Sequence, residues 1–245
     1  MNLSVRLQMN ADMVPAGSRT ADIGCDHGYV SIYLVERGIC DNVLALDVRE
    51  GPLSAARRNI QAAGLSDKIE CRLSDGMKEL RPGEADTLLI AGMGGKLVCR
   101  ILEMSQEILS ETDTLVLQPQ SDLKDVRSLL PVIGFRIEKE KCCYDGGKWY
   151  LAIRAVRGSE DRSFSEAEYR YGWMLQAERD AVYHSYLMHE KNKAERIVAD
   201  LKMKSTPGSE KGLQYWHHIL ELLEDTLSSY EGTDKRYIRW CSLGK

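Results

Sequence analysis

Thr20-Ala21-Asp22-Ile23-Gly24-Cys25-Asp26-His27-Gly28 is the stretch on which the reading of this chain turns. Thr20–Ile23 reads as a short buried strand. Gly24 and Gly28 bracket a tight turn, and Tyr29–Arg37 reads as a helix ended at Gly38. Val43–Leu46 reads as a second strand, closed by Asp47. Strand, glycine turn, helix, strand and acid is the layout of nucleotide-cofactor sites. The glycines let a ligand approach the backbone, and an acid about 20 residues on accepts hydrogen bonds from ribose hydroxyls.

Working outward, the same alternation continues. Gly51-Pro52 opens a helix that runs to Ala63, with Pro52 suited to a first turn. Ile69–Leu73, Thr87–Ala91 and Thr114–Leu117 read as further strands, with helices over about Lys96–Leu109 and Leu123–Leu130. Phe135–Lys139 and Trp149–Ala155 read as a closing strand pair around the turn Asp145-Gly146-Gly147. The alternation predicts an α/β fold with a parallel sheet covered on both faces. The closing pair adds one antiparallel strand, which gives the seven-stranded Rossmann-like sheet of class I methyltransferases. After Arg157 the pattern changes to a linker and two long helical stretches. These span about Ser165–Lys204 and Ser209–Tyr230, divided at Thr206-Pro207-Gly208. In the second, Leu213, Trp216, Leu220, Leu223, Leu227 and Tyr230 form a heptad seam. A weaker seam in the first runs through Trp173, Ala177, Asp180, His184, Leu187, Lys191, Ala194, Val198 and Leu201. The expected organisation is a cofactor-binding domain over residues 1–157 and an antiparallel helical hairpin, a coiled coil, over 158–245.

The chain has 245 residues, 43% hydrophobic, with a net charge of −4. That supports a sizeable core and gives no basic domain, so a nucleic-acid partner has to be met by a local patch. No apolar run is long enough to span a bilayer, and the N-terminus lacks a signal-peptide pattern. Seven cysteines, with no Cys-x-x-Cys spacing, fit reduced thiols in a cytoplasmic protein and no metal site. A monomer is favoured.

In a dinucleotide fingerprint the middle position of the turn is glycine, and here it is Asp26. A carboxylate there repels a pyrophosphate on the helix N-terminus. It suits S-adenosyl-L-methionine, whose sulfonium and amino groups are cationic. A cap for the following helix is the competing role for Asp26. Asp47, with Val48 beside it, is placed for the ribose. Ser74-Asp75-Gly76 is placed for the adenine, or is a plain turn. Ala91-Gly92-Met93-Gly94-Gly95 demands positive φ or a close approach, and leaves a bare floor for a flat base or a tight connection. Gln118-Pro119-Gln120 can read a base edge or form a polar loop. His27, at the crevice mouth, stands without the partners of a metal site. Lys193, Arg196, Lys202 and Lys204 alternate with acids as a solvated face, while Arg6, Lys96, Arg100, Lys124 and Arg127 are candidates for the crevice rim.

The residues Asp22-Ile23-Gly24-x-Asp26-His27, Asp47-Val48 with Gly51-Pro52-Leu53, Asp75-Gly76, Ile90 through Gly95, and Gln118-Pro119 resemble the bacterial tRNA (adenine-22-N1)-methyltransferases, the TrmK family. The likeness covers roughly residues 3 to 155 in register. Family members usually carry Asn where this chain has Gln120, and Ala where it has Gly28. The resemblance implies cofactor contacts at Asp22, Gly24, His27, Asp47, Asp75 and Gly92, and a tRNA substrate. Asp26, Val48, Ser74, Gly76 and Ala91 complete the expected cofactor set. Arg6, Tyr29, Gly94, Lys96, Gln118 and Gln120 are the expected substrate contacts, and Asp26 and Met93 the expected catalytic residues. Adenine N1 carries a lone pair and needs no deprotonation, so positioning should carry the rate, with Asp26 stabilising the cationic product ring. The competing activities are methyl transfer to a small molecule or protein, and a non-catalytic S-adenosylmethionine-binding module.

Overall fold

The computed structural model describes residues 2–204 and 207–230. The chain divides into two compact units, one through Arg162 and one from Ser163.

The first unit is built on seven strands: β1 (Thr20–Ile23), β2 (Val43–Asp47), β3 (Ile69–Leu73), β4 (Thr87–Ala91), β5 (Thr114–Gln118), β6 (Phe135–Asp145) and β7 (Lys148–Arg157). Their order is β3-β2-β1-β4-β5-β7-β6, parallel apart from β7. β1, β4 and β5 are buried along almost their whole length, as apolar runs covered on both faces must be. The helices are α1 (Val5–Ala11), α2 (Tyr29–Glu36), α3 (Glu50–Ala62), α4 (Gly95–Glu103), α5 (Gln106–Ser110) and α6 (Leu123–Val132). The strand order reverses between β1 and β4, both of which start from the sheet's centre. That switch point opens a crevice at their carboxyl ends.

Three elements depart from the sequence reading. A single helix over 96–109 is expected, yet it breaks at Ser105. Val98 and Leu102 set a buried stripe on which a continuous helix would place Ser105 next. The chain bends instead: the Ser105 N–H donates to the Leu102 carbonyl (3.2 Å), and Gln106 Nε2 donates to the carbonyls of Leu102 (3.5 Å) and Glu103 (3.3 Å) at the helix end. The β6–β7 hairpin is longer than expected, with pairing up to Asp145 and Lys148. Gly146 and Gly147 both take positive φ (54° and 83°), the geometry of a two-residue turn whose twist matches the flanking strands.

The third departure lies in the second unit. The expected helix 165–204 is three helices: α7 (Glu166–Tyr171), α8 (Met174–Glu178) and α9 (Ala181–Lys204). Gly172 (φ 86°) and Arg179 (φ 52°) end the first two. Asp180 is no seam residue: its Oδ1 accepts from the N–H groups of Val182 (2.7 Å) and Tyr183 (2.9 Å), which restarts the helix. α10 (Pro207–Tyr230) runs antiparallel to α9. Tyr230 Oη donates to the Asp180 carbonyl (2.9 Å), Lys191 pairs with Glu224 (3.5 Å), and Gly212 abuts Leu201. In the buried seam Leu187, Ala194, Val198, Leu223 and Leu227 take their expected places, joined by Tyr183, Ile219, Leu222 and Thr226. Thr206, expected in the turn, lies outside the described residues. Among the described residues no helix is long and apolar enough to cross a membrane.

Candidate active site

At the switch point lies a cavity of about 420 Å³, within the range of small-molecule sites. Its walls come from the loops after β1, β2, β3, β4 and β5, and from α1, α2 and α4.

The loop after β1 is held from below by β2. Gly24 (φ 80°) lets the chain turn, and its N–H and that of Cys25 both donate to the Leu46 carbonyl (2.7 and 2.9 Å). Asp26 sits in the left-handed region at φ 51°, a conformation that Asp tolerates better than most residues. Its N–H donates to Asp47 Oδ2 (3.2 Å), and its side chain is 62% exposed at the crevice mouth. Gly28 is the N-cap of α2 and no side chain caps that helix, so Asp26 is not its cap. His27 stacks beside Tyr29, ring centroids 5.6 Å apart, and both line the cavity.

Asp22 and Asp47 are buried carboxylates on the cavity wall. Asp22 Oδ2 accepts from Ser31 Oγ (2.7 Å). Burial pushes the Asp22 carboxyl up to about 6; the Asp47 charge acts in the same direction and the Ser31 bond opposes it. Asp47 Oδ1 accepts from the Arg49 N–H (2.9 Å). Burial also pushes the Cys25 thiol far up, so this cysteine on the wall is inert. In the loop after β3, Ser74 Oγ donates to the Gly76 carbonyl (2.9 Å) and accepts from the Glu79 N–H (3.2 Å). It therefore builds the turn, while Asp75 faces solvent and pairs with Lys78 (2.5 Å), which holds its carboxyl below the usual range. Val48, Leu97 and Ile101 are the apolar walls.

The glycines after β4 have separate causes. Gly92 needs its positive φ of 78°. A Cβ on Gly95 would collide with the Ser121 carbonyl, so this glycine serves helix packing. Gly94 and Lys96 are exposed at the start of α4, outside the cavity lining. The floor is not bare: Arg6 Nη1 lies 3.3 Å from where a Gly92 Cβ would be. Gln118, expected to read a base, is fully buried. Its Oε1 accepts from Arg6 Nη1 (3.1 Å), so the residue facing the cavity is Arg6, fixed also over the Tyr150 ring at 5.2 Å. Gln120 does line the cavity. Arg127, expected at the rim, is buried in an ion pair with Glu140 (2.7 Å). Leu7, Arg49, Leu97 and Ile101 escape a sequence reading centred on loops. The i, i+4 spacing of Leu97 and Ile101 on α4 is the one signal that could have found two of them.

The donor set fits a cationic, sugar-bearing ligand. Four carboxylates, Asp22, Asp26, Asp47 and Asp75, line the cavity against two arginines, Arg6 and Arg49. A buried carboxylate with a raised pKa gains from a cation beside it, whereas a pyrophosphate would meet repulsion. Among the described residues no group of three His, Cys, Asp or Glu is placed to hold a metal ion.

The Methyltransferase domain family matches residues 3–153. The tRNA (adenine(22)-N(1))-methyltransferase of Bacillus subtilis is 29% identical over 93% of this chain and 98% of its own length. The crystal structure of the B. subtilis m1A22 tRNA methyltransferase TrmK superposes with a TM-score of 0.84 at 30% identity, covering 92% of this chain and 99% of that one. This chain belongs to the TrmK methyltransferase family. A Streptococcus pneumoniae protein whose crystal structure contains S-adenosyl-L-methionine is 31% identical over 92% of this methyltransferase and all of its own chain, with a TM-score of 0.83.

Proposed function

We propose that this methyltransferase moves a methyl group from S-adenosyl-L-methionine to N1 of adenine 22 in tRNA. The likeness to the B. subtilis enzyme along nearly its full length supports this most directly, because it takes in both units of the chain. S-adenosyl-L-methionine, when bound, supplies an electrophilic methyl group on a sulfonium.

The chain's own residues then have four tasks. Asp47 accepts from the ribose hydroxyls, with its two oxygens already oriented by Asp26 and Arg49. Asp22 and Asp26 face the cationic end, and Gly24 lets the ligand lie against the backbone. Val48, Leu97 and Ile101 flank the adenine, with Asp75 and Gly76 at its edge. Arg6, Tyr29, Gln120 and Met93 shape the place for the target base and exclude water from it. No residue has to remove a proton, because N1 of adenine offers a lone pair. Asp26 acts by its charge on the cation left on the methylated ring.

The test is incubation with unmodified tRNA and labelled S-adenosylmethionine, followed by nucleoside analysis. The expected product is 1-methyladenosine at position 22, lost when that adenosine is replaced. Label in another nucleoside, or none, overturns the reading.

A further inference from the structure

β6 and β7 are about twice as long as the parallel strands beside them. β4 and β5 have five residues each, whereas β6 has eleven and β7 ten. The last pair between β5 and β7 is Leu117 with Ile153. Lys148–Leu151 therefore runs about 13 Å past the carboxyl end of β5, the same sheet edge on which the cavity opens. A two-stranded ribbon of that length is marginal by itself and needs support.

One face has that support. Cys143 and Ala152 are buried in the core that includes Met9 and Ala11 of α1, with Tyr150 packed against it. Asp145 Oδ2 accepts from the Arg6 N–H (3.0 Å), and Arg6 lies over Tyr150. These contacts tie the ribbon to Arg6 on the cavity wall. The other face ends in the cross-strand pair Tyr144 and Trp149, ring centroids 4.6 Å apart, with Tyr144 51% exposed. The charge of the ribbon is one-sided as well. Glu138 pairs with Arg154, Glu140 is held by Arg127 and Asp145 by Arg6 and Ser4, while Lys139, Lys141 and Lys148 alternate onto the face of Cys143 and Tyr150, opposite the Tyr144–Trp149 rung. In a chain of net charge −4, a cationic ribbon with an aromatic rung whose Tyr144 is exposed, tied to the cavity wall through Arg6, has the make-up of a single-stranded RNA contact.

We infer that the β6–β7 tip is a docking surface for the RNA substrate: an unpaired base stacks on the Tyr144–Trp149 rung, and Lys148 at the turn and Lys141 on the opposite face carry the phosphates on either side as the strand crosses the open edge of β6. The inference rests on the tRNA reading above and adds to it the surface that brings the target loop to the cavity.

A cross-strand aromatic pair also holds a hairpin together, so the test reads RNA binding and folding separately. Affinity for a fluorescent, unmodified tRNA transcript is measured by anisotropy, and affinity for S-adenosylmethionine by calorimetry, in the full chain. Tyr144→Ala is expected to weaken tRNA binding about tenfold, Tyr144→Phe to retain it, and both to bind the cofactor as the parent does. Replacing Lys141 and Lys148 together by Ala is expected to lower the salt slope of tRNA binding by about 2. Wild-type tRNA affinity in Tyr144→Ala, with cofactor binding intact, overturns the inference, as does a parent protein that binds no tRNA. A parent that binds tRNA in this Tyr144-dependent way and methylates none of it upholds the docking surface and overturns the proposed activity instead.

Discussion

The carboxylate of Asp47 reaches from the end of β2 to the backbone N–H of Asp26, 3.2 Å away, while its other oxygen accepts from Arg49. The acid to which the proposed function gives the ribose is thus also the fastener of the loop after β1. Removing it leaves two backbone donors without partners and frees the loop.

Asp47→Ala is therefore expected to weaken S-adenosylmethionine binding by at least about 100-fold, and Asp47→Asn, which keeps one acceptor, by about tenfold. Titration calorimetry on both variants checks this, with circular dichroism showing an unchanged fold. Equal loss in the two variants would mean that charge alone matters and the fastening does not.

Asp22 gives the site a pH dependence. Its carboxyl titrates near 6 because burial disfavours the anion. Cofactor affinity should be flat above that value and fall about tenfold per pH unit below it, as the cation loses its counter-charge. Stability runs the opposite way. Between the ordinary carboxylate value and 6 the folded chain holds a proton that the unfolded chain has released, so the contribution is complete at low pH and is lost as pH rises through 6. Asp22→Asn should accordingly melt higher than the parent at pH 7.5 while binding S-adenosylmethionine far more weakly. Thermal melts and calorimetry between pH 5 and 8 measure both; a melting point below the parent's would contradict that sign.

The parallel sheet and its crevice are legible in Thr20–Asp47 because a buried strand, a glycine turn and a strand-end acid are local patterns, each set by residues a few positions apart. The same holds for Gly172 and Asp180, whose helix-stop and helix-start chemistry is present in the sequence but masked by a long apolar periodicity. Side-chain traffic between distant segments is not legible in this way. Gln118 turns inward because Arg6, 112 positions away in sequence, needs an acceptor, and nothing local to Gln118-Pro119-Gln120 announces it. Gly95 is a glycine because of Ser121, and Arg127 is buried because of Glu140. From sequence the first looks like part of a floor and the second like part of a rim.

The Met93 methyl lies against Gly24 on the cavity wall, and a Cβ on Gly24 would overlap it. Gly24→Ala thus meets two obstacles, a clash and a left-handed φ of 80° that costs about 1–2 kcal/mol for a residue with a side chain. The clash is at the tip of a flexible side chain, so it should be the smaller one. The double variant Gly24→Ala with Met93→Ala is expected to recover only a minor part of the cofactor affinity lost in Gly24→Ala alone, as read by calorimetry. Full recovery would show that sterics, and not backbone conformation, make this position glycine.

Asp26 combines a strained backbone with an exposed charge, and the two can be separated. Its left-handed φ of 51° suits Asn, and suits Gly better still. If the residue were chosen for the turn alone, Asp26→Gly would relieve strain and leave turnover intact. Its side chain instead lies at the crevice mouth, 62% exposed, with His27 Nε2 3.7 Å away and no capping duty to α2. A charge that faces the developing cation of the methylated ring lowers the barrier without contributing to the fold. Solvent screening limits the effect, so Asp26→Asn and Asp26→Gly should each lose about tenfold in kcat on tRNA, with a Tm equal to or above the parent's. Single-turnover methylation of tRNA at saturating cofactor isolates the chemical step. Parent-like rates in both variants would remove Asp26 from the chemistry and leave it as an occupant of the turn.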